Sequence, residues 1–198
     1  MYRLMPNVSP QRSNRMNLIE GTLRCLSRMP IEKATARVIA EESNANLASI
    51  SYHFGTKDNL VTAATIEGLD RWLAHVSESV EEIDSDDARE RFIQGFRVVG
   101  ATRKSKTPLT RTFITAIASA QHNSAVRTML TEGVHKTRRA IAELIGLGSD
   151  RDGELAGGVV LAMFYGLMIQ ALLDPDLAIE GVDLEKALQR LVVRLLAS

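Results

Sequence analysis

The chain has 198 residues, 45% of them apolar, one cysteine and a formal net charge of zero. That apolar share is enough to build a core and excludes wholesale disorder. A single thiol excludes an internal disulfide, and no run of about 18 consecutive apolar residues points to a membrane span.

The balanced charge hides an asymmetry. Residues 1–60 carry eight basic and five acidic side chains, the remainder sixteen and nineteen. A basic head on an acidic body suits a molecule that meets phosphates at one end. The opening segment, MYRLMPNVSPQRSNRMN, has no apolar run of the signal-peptide kind. With Cys25 read as a small buried residue, the expected setting is a reducing cytoplasm.

Apolar residues recur every three or four positions almost throughout and no alternating strand pattern is present, so the expected fold is all-α. A first helix is predicted from about Arg12 to Met29, with Met16, Ile19, Leu23 and Leu26 as its stripe and Pro30 ending it. Thr35 caps a short second helix that reaches Ser43, and Asn44 tolerates the left-handed backbone of a tight turn. Asn46 caps a third helix, Leu47 to Phe54, closed by Gly55. Thr56 caps a long fourth helix extending to about Val80. Five more helices are predicted: one capped by Ser85, one opened by Thr107-Pro108, and one capped at Asn123 or Ser124 and closing on Gly148. The last two are an apolar helix from Asp152 to Leu173 and a helix capped by Asp183. The division falls near Thr56: residues 1–55 hold three short helices and residues 56–198 a larger helical body, with the fourth helix as bridge.

The stretch TARVIAEESNANLASISYHFGTKDNL, residues 35–60, carries the function. Two short helices joined by a turn of a few residues form a helix-turn-helix, whose second helix can enter the major groove. Val38, Ile39, Ile50 and Phe54 are placed to pack inward, and a helical wheel puts Ala48, Ser49 and Tyr52 on the opposite face, flanked by Asn46 and His53. Small and hydroxyl-bearing residues there allow close approach to base edges and hydrogen bonding to them. Thr35 and Arg37, opening the second helix, are placed to reach backbone and a base edge; for Arg37 a plain surface role stands beside that reading. Leu47 lies at the edge of the wheel, its role open. Arg3, Arg12 and Arg15 read either as an arm tracking phosphates or as an unstructured tail.

These residues resemble the TetR family of bacterial transcriptional regulators. The resemblance lies in Ile39-Ala40, the tight turn, Tyr52-His53-Phe54, Thr56-Lys57-Asp58 and Leu60, and it covers about residues 12–60. The chain departs from the family pattern at Asn44 in place of the turn glycine, at Ala48 in place of a second glycine, and at Ser51 in place of a tyrosine. The resemblance implies that Ser49, Tyr52, His53 and Lys57 touch DNA, with Asn46 and Ala48 facing bases. It further implies a repressor, dimeric through its last two helices, that binds a near-palindromic operator and is released by a small-molecule effector. No cofactor, metal or membrane partner is expected, and the place of action is the bacterial cytoplasm, at the nucleoid. Trp72, Phe96, Phe113, Met129, Met163 and Phe164 are large side chains that read as plain core or as the lining of a pocket, with His75, His122 and Arg97 as sources of polarity.

Two other classes were weighed. A helical enzyme finds little support: the four histidines form no His-x-x-x-His pair, and Glu132-Gly-Val-His135 occurs once where a di-iron bundle needs such a step twice. An architectural DNA binder without a ligand leaves the long helical body without a task.

Overall fold

A computed structural model describes residues 10–83 and 85–196, and among them the only regular elements are helices. In chain order these are α1 (Pro10–Arg28), α2 (Ala36–Glu42), α3 (Leu47–Phe54), α4 (Lys57–Glu81), α5 (Ala88–Ser119), α6 (Ser124–Leu144), α7 (Arg151–Leu173), a 3-10 turn (Pro175–Leu177) and α8 (Gly181–Leu196). Packing divides them into two units. One comprises the chain up to Leu69 with Arg111–Leu130; the other comprises Asp70–Thr110 with everything from Thr131 onward. Helices α4, α5 and α6 each contribute to both.

The first unit contains a tight core to which four helices contribute. Leu18, Ile19, Cys25 and Leu26 of α1, Ile39 and Ala40 of α2, Ile50 of α3, and Leu60, Val61 and Ala64 of α4 are buried together, with Val38 and Phe54 packed against them. Of the predicted α1 stripe, Ile19 and Leu26 are buried and Leu23 packs against the core, while Met16 is exposed and Leu18, Thr22 and Cys25 complete the buried row. Burial pushes the Cys25 thiol up, with Glu42 adding to the effect, as befits an inert packing residue. Gly21 permits the closest approach: a Cβ there would collide with the backbone and hydroxyl of Ser43, the buried residue that ends α2.

Four predicted boundaries are corrected. No helix starts at Thr107-Pro108; α5 runs through Pro108 without a break, so eight helices stand among the described residues where nine were expected. An interior proline costs roughly 3 kcal/mol. Leu109, Thr110, Thr112, Phe113 and Ala116 are all buried just beyond it, and each large apolar side chain removed from water contributes about 1.5–3 kcal/mol, so tertiary burial outweighs the local rule. The cap of α5 is Asp87, whose carboxylate accepts from Arg89 N at 2.9 Å, while Ser85 Oγ accepts from Asp87 N one step earlier. Helix α8 begins at Gly181, placing Asp183 inside its first turn rather than at its cap, and α6 ends at Leu144, before the predicted stop.

In the second unit Trp72, Val76 and Val80 of α4 are buried, as are Leu161, Met168 and Ala171 of α7. Trp72 donates from Nε1 to Thr102 Oγ1 at 2.8 Å and sets its ring edgewise, 5.4 Å between centroids, on Phe164. Helices α6 and α7 touch through glycine: a Cβ at Gly157 would strike the carbonyl oxygen of Arg138. Glu154 bonds His135 Nδ1 at 2.9 Å, and that bond, with Arg139 beside it, holds the Glu154 carboxyl below the usual carboxylate range. His135 of the lone Glu-x-x-His step is thus engaged in a hydrogen bond with Glu154, and no group of three or more potential metal ligands gathers among the described residues.

Helix α7 is strongly apolar yet covered on one side only. By length and composition alone it is long and apolar enough to cross a membrane, although no 18 consecutive apolar residues occur in it. It is also not buried on most sides: Gly153, Gly157, Leu161, Met168 and Ala171 are covered, while Leu155, Val159, Ile169 and Leu173 lie open, Val159 at 70% and Leu173 at 78%. Its glycines seat one face on α6, leaving the other without a cover in the single chain.

Candidate nucleic-acid interface

Local chemistry fixes α2 and α3 as the sequence suggests. Thr35 Oγ1 accepts from Val38 N and caps α2; Asn46 Oδ1 accepts from Ala48 N at 3.0 Å and caps α3. Between them Asn44 takes φ +49°, and the amides of Ser43, Asn44 and Ala45 bond back to Ile39, Glu41 and Ala40. The short polar side chain of asparagine makes that left-handed step affordable without glycine. Gly55, at φ +76°, closes α3, and Thr56 Oγ1 accepts from Asn59 N to cap α4.

With Ile50 buried and Phe54 half-buried, the opposite side of α3 faces solvent. Asn46, Leu47, Ala48, Ser51 and Tyr52 are exposed there, Tyr52 at 70%, while Ser49 and His53 are half-covered. The Tyr52 and His53 rings meet edge to face at 4.8 Å, so each limits the rotation of the other. Asn46 spends its side-chain oxygen on the helix cap, which leaves only its amide donors for a base. Lys57 occupies the first position of α4, half-covered, where a cation is unfavourable to the helix dipole. Arg37 extends into solvent and pairs with Glu41 one turn on at 3.1 Å, an exposed pair of small strength that a phosphate or base can break. The predicted contact residues therefore gather on the α3 face and its two flanks.

Of the predicted arm, Arg3 lies outside the described residues, and Arg12 and Arg15 belong to α1 rather than to a tail. Arg15 sets its guanidinium over the Phe54 ring, 5.1 Å from the centroid. Two features escaped sequence reasoning, and a third, Leu47, was legible only as the edge of the wheel. Glu42 is clamped by Arg24, through both its side chain and its carbonyl, and by Arg28. The Arg24 hydrogen bond, with Arg28 nearby, holds its carboxyl below the usual carboxylate range. Asn59 Nδ2 donates to Phe54 O at 2.8 Å and so ties the end of α3 to the first turn of α4. Leu47, half-exposed at 51% on the leading turn of α3, adds an apolar group to an otherwise polar face. Salt-bridge partners eighteen residues apart carry no local signal; an exposed leucine beside a capping residue was the one legible hint.

The predicted pocket residues scatter. Phe96 and Phe164 line a cleft in the second unit, Trp72 touches Phe164 from behind, and Phe113 is buried in the first unit, which also holds Met129. Met163 is half-buried on α7 without lining that cleft. Arg97 pairs with Glu185 at 3.1 Å, and His75 and His122 are exposed.

A buried-backed helix presenting small, hydroxyl and aromatic groups beside cations defines a helix-turn-helix DNA-binding protein. Residues 18–64 match the family described as bacterial regulatory proteins, tetR family. Along nearly its whole length the chain is similar to the HTH-type transcriptional regulator BetI of Burkholderia mallei (strain NCTC 10229), 26% identical over 194 residues and 93% of each chain. It is also similar to the HTH-type nicotine-responsive transcriptional repressor HdnoR of Paenarthrobacter nicotinovorans, 35% identical over 75 residues, 38% of each chain. Among solved structures, Salmonella enterica GusR shares the fold with a TM-score of 0.65 at 19% identity, covering 96% of this chain and 98% of that one. Residues 18–64 thus carry the DNA-binding domain of the tetR family, which makes the chain a transcriptional regulator rather than an enzyme.

Proposed function

We propose that the protein acts in the cytoplasm, at the nucleoid, as a dimeric repressor that binds a near-palindromic operator and leaves it when a small-molecule effector binds. Residues 1–55 read DNA; residues 56–198 pair the subunits and hold the effector. The observation that carries the reading is the split character of α3, whose one side is locked into the core by Ile50 while the other offers Ala48, Ser49 and Tyr52 to a groove.

Ser49, Ala48 and the Asn46 amide read base edges, and Leu47 suits the methyl group of thymine. Tyr52, His53, Thr35 and Lys57 hold phosphates, and Arg37 reaches a base edge or phosphate once freed from Glu41. Dimerisation is supported by the open side of α7 together with Val182, Leu191, Val192 and Val193 of α8, an apolar surface too large to leave in water. A second copy meets it with the same residues, and two-fold symmetry then spaces two recognition helices by a helical turn of DNA or a multiple of it. Effector binding favours a conformer with α4 displaced; because α4 begins at Lys57 and Asn59 binds it to Phe54, the displacement reaches the recognition helix. A coupling of about 1–3 kcal/mol corresponds to roughly 5- to 150-fold relief.

The test is selection of bound genomic fragments by the purified protein, followed by footprinting. The expected result is protection of a two-fold symmetric site, with Lys57→Ala weakening all sequences alike and Ser49→Ala changing base preference at one position of each half-site. Equal binding to random duplex would overturn the reading.

A further inference from the structure

The cleft lined by Phe96 and Phe164 lies within the second unit, between α5, α7 and the start of α8. As it stands the cleft is nearly filled, with about 30 Å³ of free volume against the roughly 300–1,000 Å³ of small-molecule sites, so a ligand enters only as Glu180 and its link move out. Val99, Leu167, Met168 and Leu184 make the rest of its wall apolar, and the charged groups that line it are Arg103 and Glu180, bonded to one another across the mouth.

The two partners are unequally fixed. Arg103 stands on the 32-residue helix α5, its side chain only 19% exposed, and it also lines an adjoining cleft with Thr107, Thr110 and Met168. Glu180, 40% exposed, sits on the three-residue link between the 3-10 turn and α8, followed at once by Gly181 at φ +55°. The Glu180 carboxyl lies over Gly100, one turn before Arg103, where a Cβ would meet it in ordinary contact at 3.5 Å. The first turn of α8 is held independently by Arg97 and Glu185, so Glu180 can leave without freeing the helix.

We propose that this cleft is the effector site and that it selects a monocarboxylate with a compact apolar body, which exchanges its own carboxylate for that of Glu180 on Arg103. The argument is electrostatic. A half-buried guanidinium stripped of its partner is costly, so whatever removes Glu180 must supply an anion. A cation would have to evict Arg103, the deeper and more firmly mounted partner. The apolar body then lies on Phe96, Phe164 and Met168 while the Glu180 link swings outward. This inference deepens the repressor reading and depends on it only for the regulatory consequence.

Trp72 is the only tryptophan, and its ring rests on Phe164, so fluorescence of the full-length protein without DNA reports the cleft. The probes are phenylacetate and octanoate, with phenylacetamide and 2-phenylethylamine as neutral and cationic counterparts. Saturable change is expected with the carboxylates, at least about tenfold weaker binding with the amide and amine, and a similar loss in Arg103→Met, since a bond to a charged group carries about 1.5–3 kcal/mol. Glu180→Gln, which removes the competing anion, tightens phenylacetate several-fold. A preference for the amine that Glu180→Gln abolishes would overturn the proposal, as would silence of Trp72 towards every probe while some other molecule releases the operator. Carboxylate binding that leaves operator affinity unchanged upholds the cleft chemistry and removes the regulatory reading instead. If Arg103→Met does not fold, Glu180→Gln decides alone: unchanged or weaker phenylacetate binding refutes the exchange.

Discussion

The helix-turn-helix unit and the α7–α8 region of the body are built on opposite plans. In the first, the apolar residues of four helices converge on one interior and the outward side is polar. In the second, α7 satisfies one face against α6 through Gly157 and leaves Leu155, Val159 and Leu173 in water. A polar exterior over a closed core needs no partner to be stable, and its unusual surface is a binding site for something hydrophilic. An open apolar stripe marks a unit that is incomplete as a single chain. On the proposed reading, one surface is finished for DNA and the other is left for a second subunit.

The largest effect expected from breaking this contrast is at the open stripe. The double change Leu155→Arg and Val159→Arg places charge where a partner would bury it, while leaving the α6 side of α7 intact. Light scattering should then find monomers, and operator affinity should drop by about 100-fold or more, or roughly 2.7 kcal/mol, as one half-site is lost. A dimer that survives the double change would show that another surface pairs the subunits.

A second effect lies on the buried side of α7. Burial pushes the Tyr165 hydroxyl up from 10.0 to about 12, with Arg138 opposing only in part. A raised folded-state pKa means stability is complete below pH 10 and falls as pH rises towards 12, because the unfolded chain ionises first. The loss should be about 2–3 kcal/mol across that window and absent from Tyr165→Phe. Denaturant titrations at pH 9 and 11.5 measure it; identical slopes with pH in both proteins would place the hydroxyl in solvent.

Within the head, Gly21→Ala forces α1 and Ser43 apart and should cost about 1–3 kcal/mol of stability, because the colliding atoms include backbone. Asn44→Ala puts a side chain without local hydrogen bonding into a left-handed step and should cost about 1 kcal/mol. Both are checked by thermal unfolding, and both should weaken DNA binding only as far as they unfold the head.

What could be seen in the chain beforehand follows from how local the cause is. Thr35, Asn46, Thr56 and Gly55 act on amides a few residues away, so their roles were legible, and Asn44 announced its own turn. The face of α3 was legible for the same reason, being set by the 3.6-residue period. Pro108 misled because the burial that overrides it comes from distant helices. Asp87 was hidden by Ser85, an equally good cap two residues earlier. The Arg24–Glu42 clamp and the Arg103–Glu180 pair join positions 18 and 77 residues apart, which no pattern in a window can show.

The clamp has a thermodynamic consequence. Neutralising a phosphate expels condensed cations from the duplex, and log affinity falls with log salt by about 0.9 for each phosphate engaged. Arg24 and Arg28 are already committed to Glu42, and Arg15 to the Phe54 ring, so the head brings fewer charges to DNA than it contains. Its grip on an arbitrary duplex is correspondingly modest at cellular ionic strength. More of the free energy that holds it at its operator must come from the bases themselves, and the ratio between right and wrong sites widens.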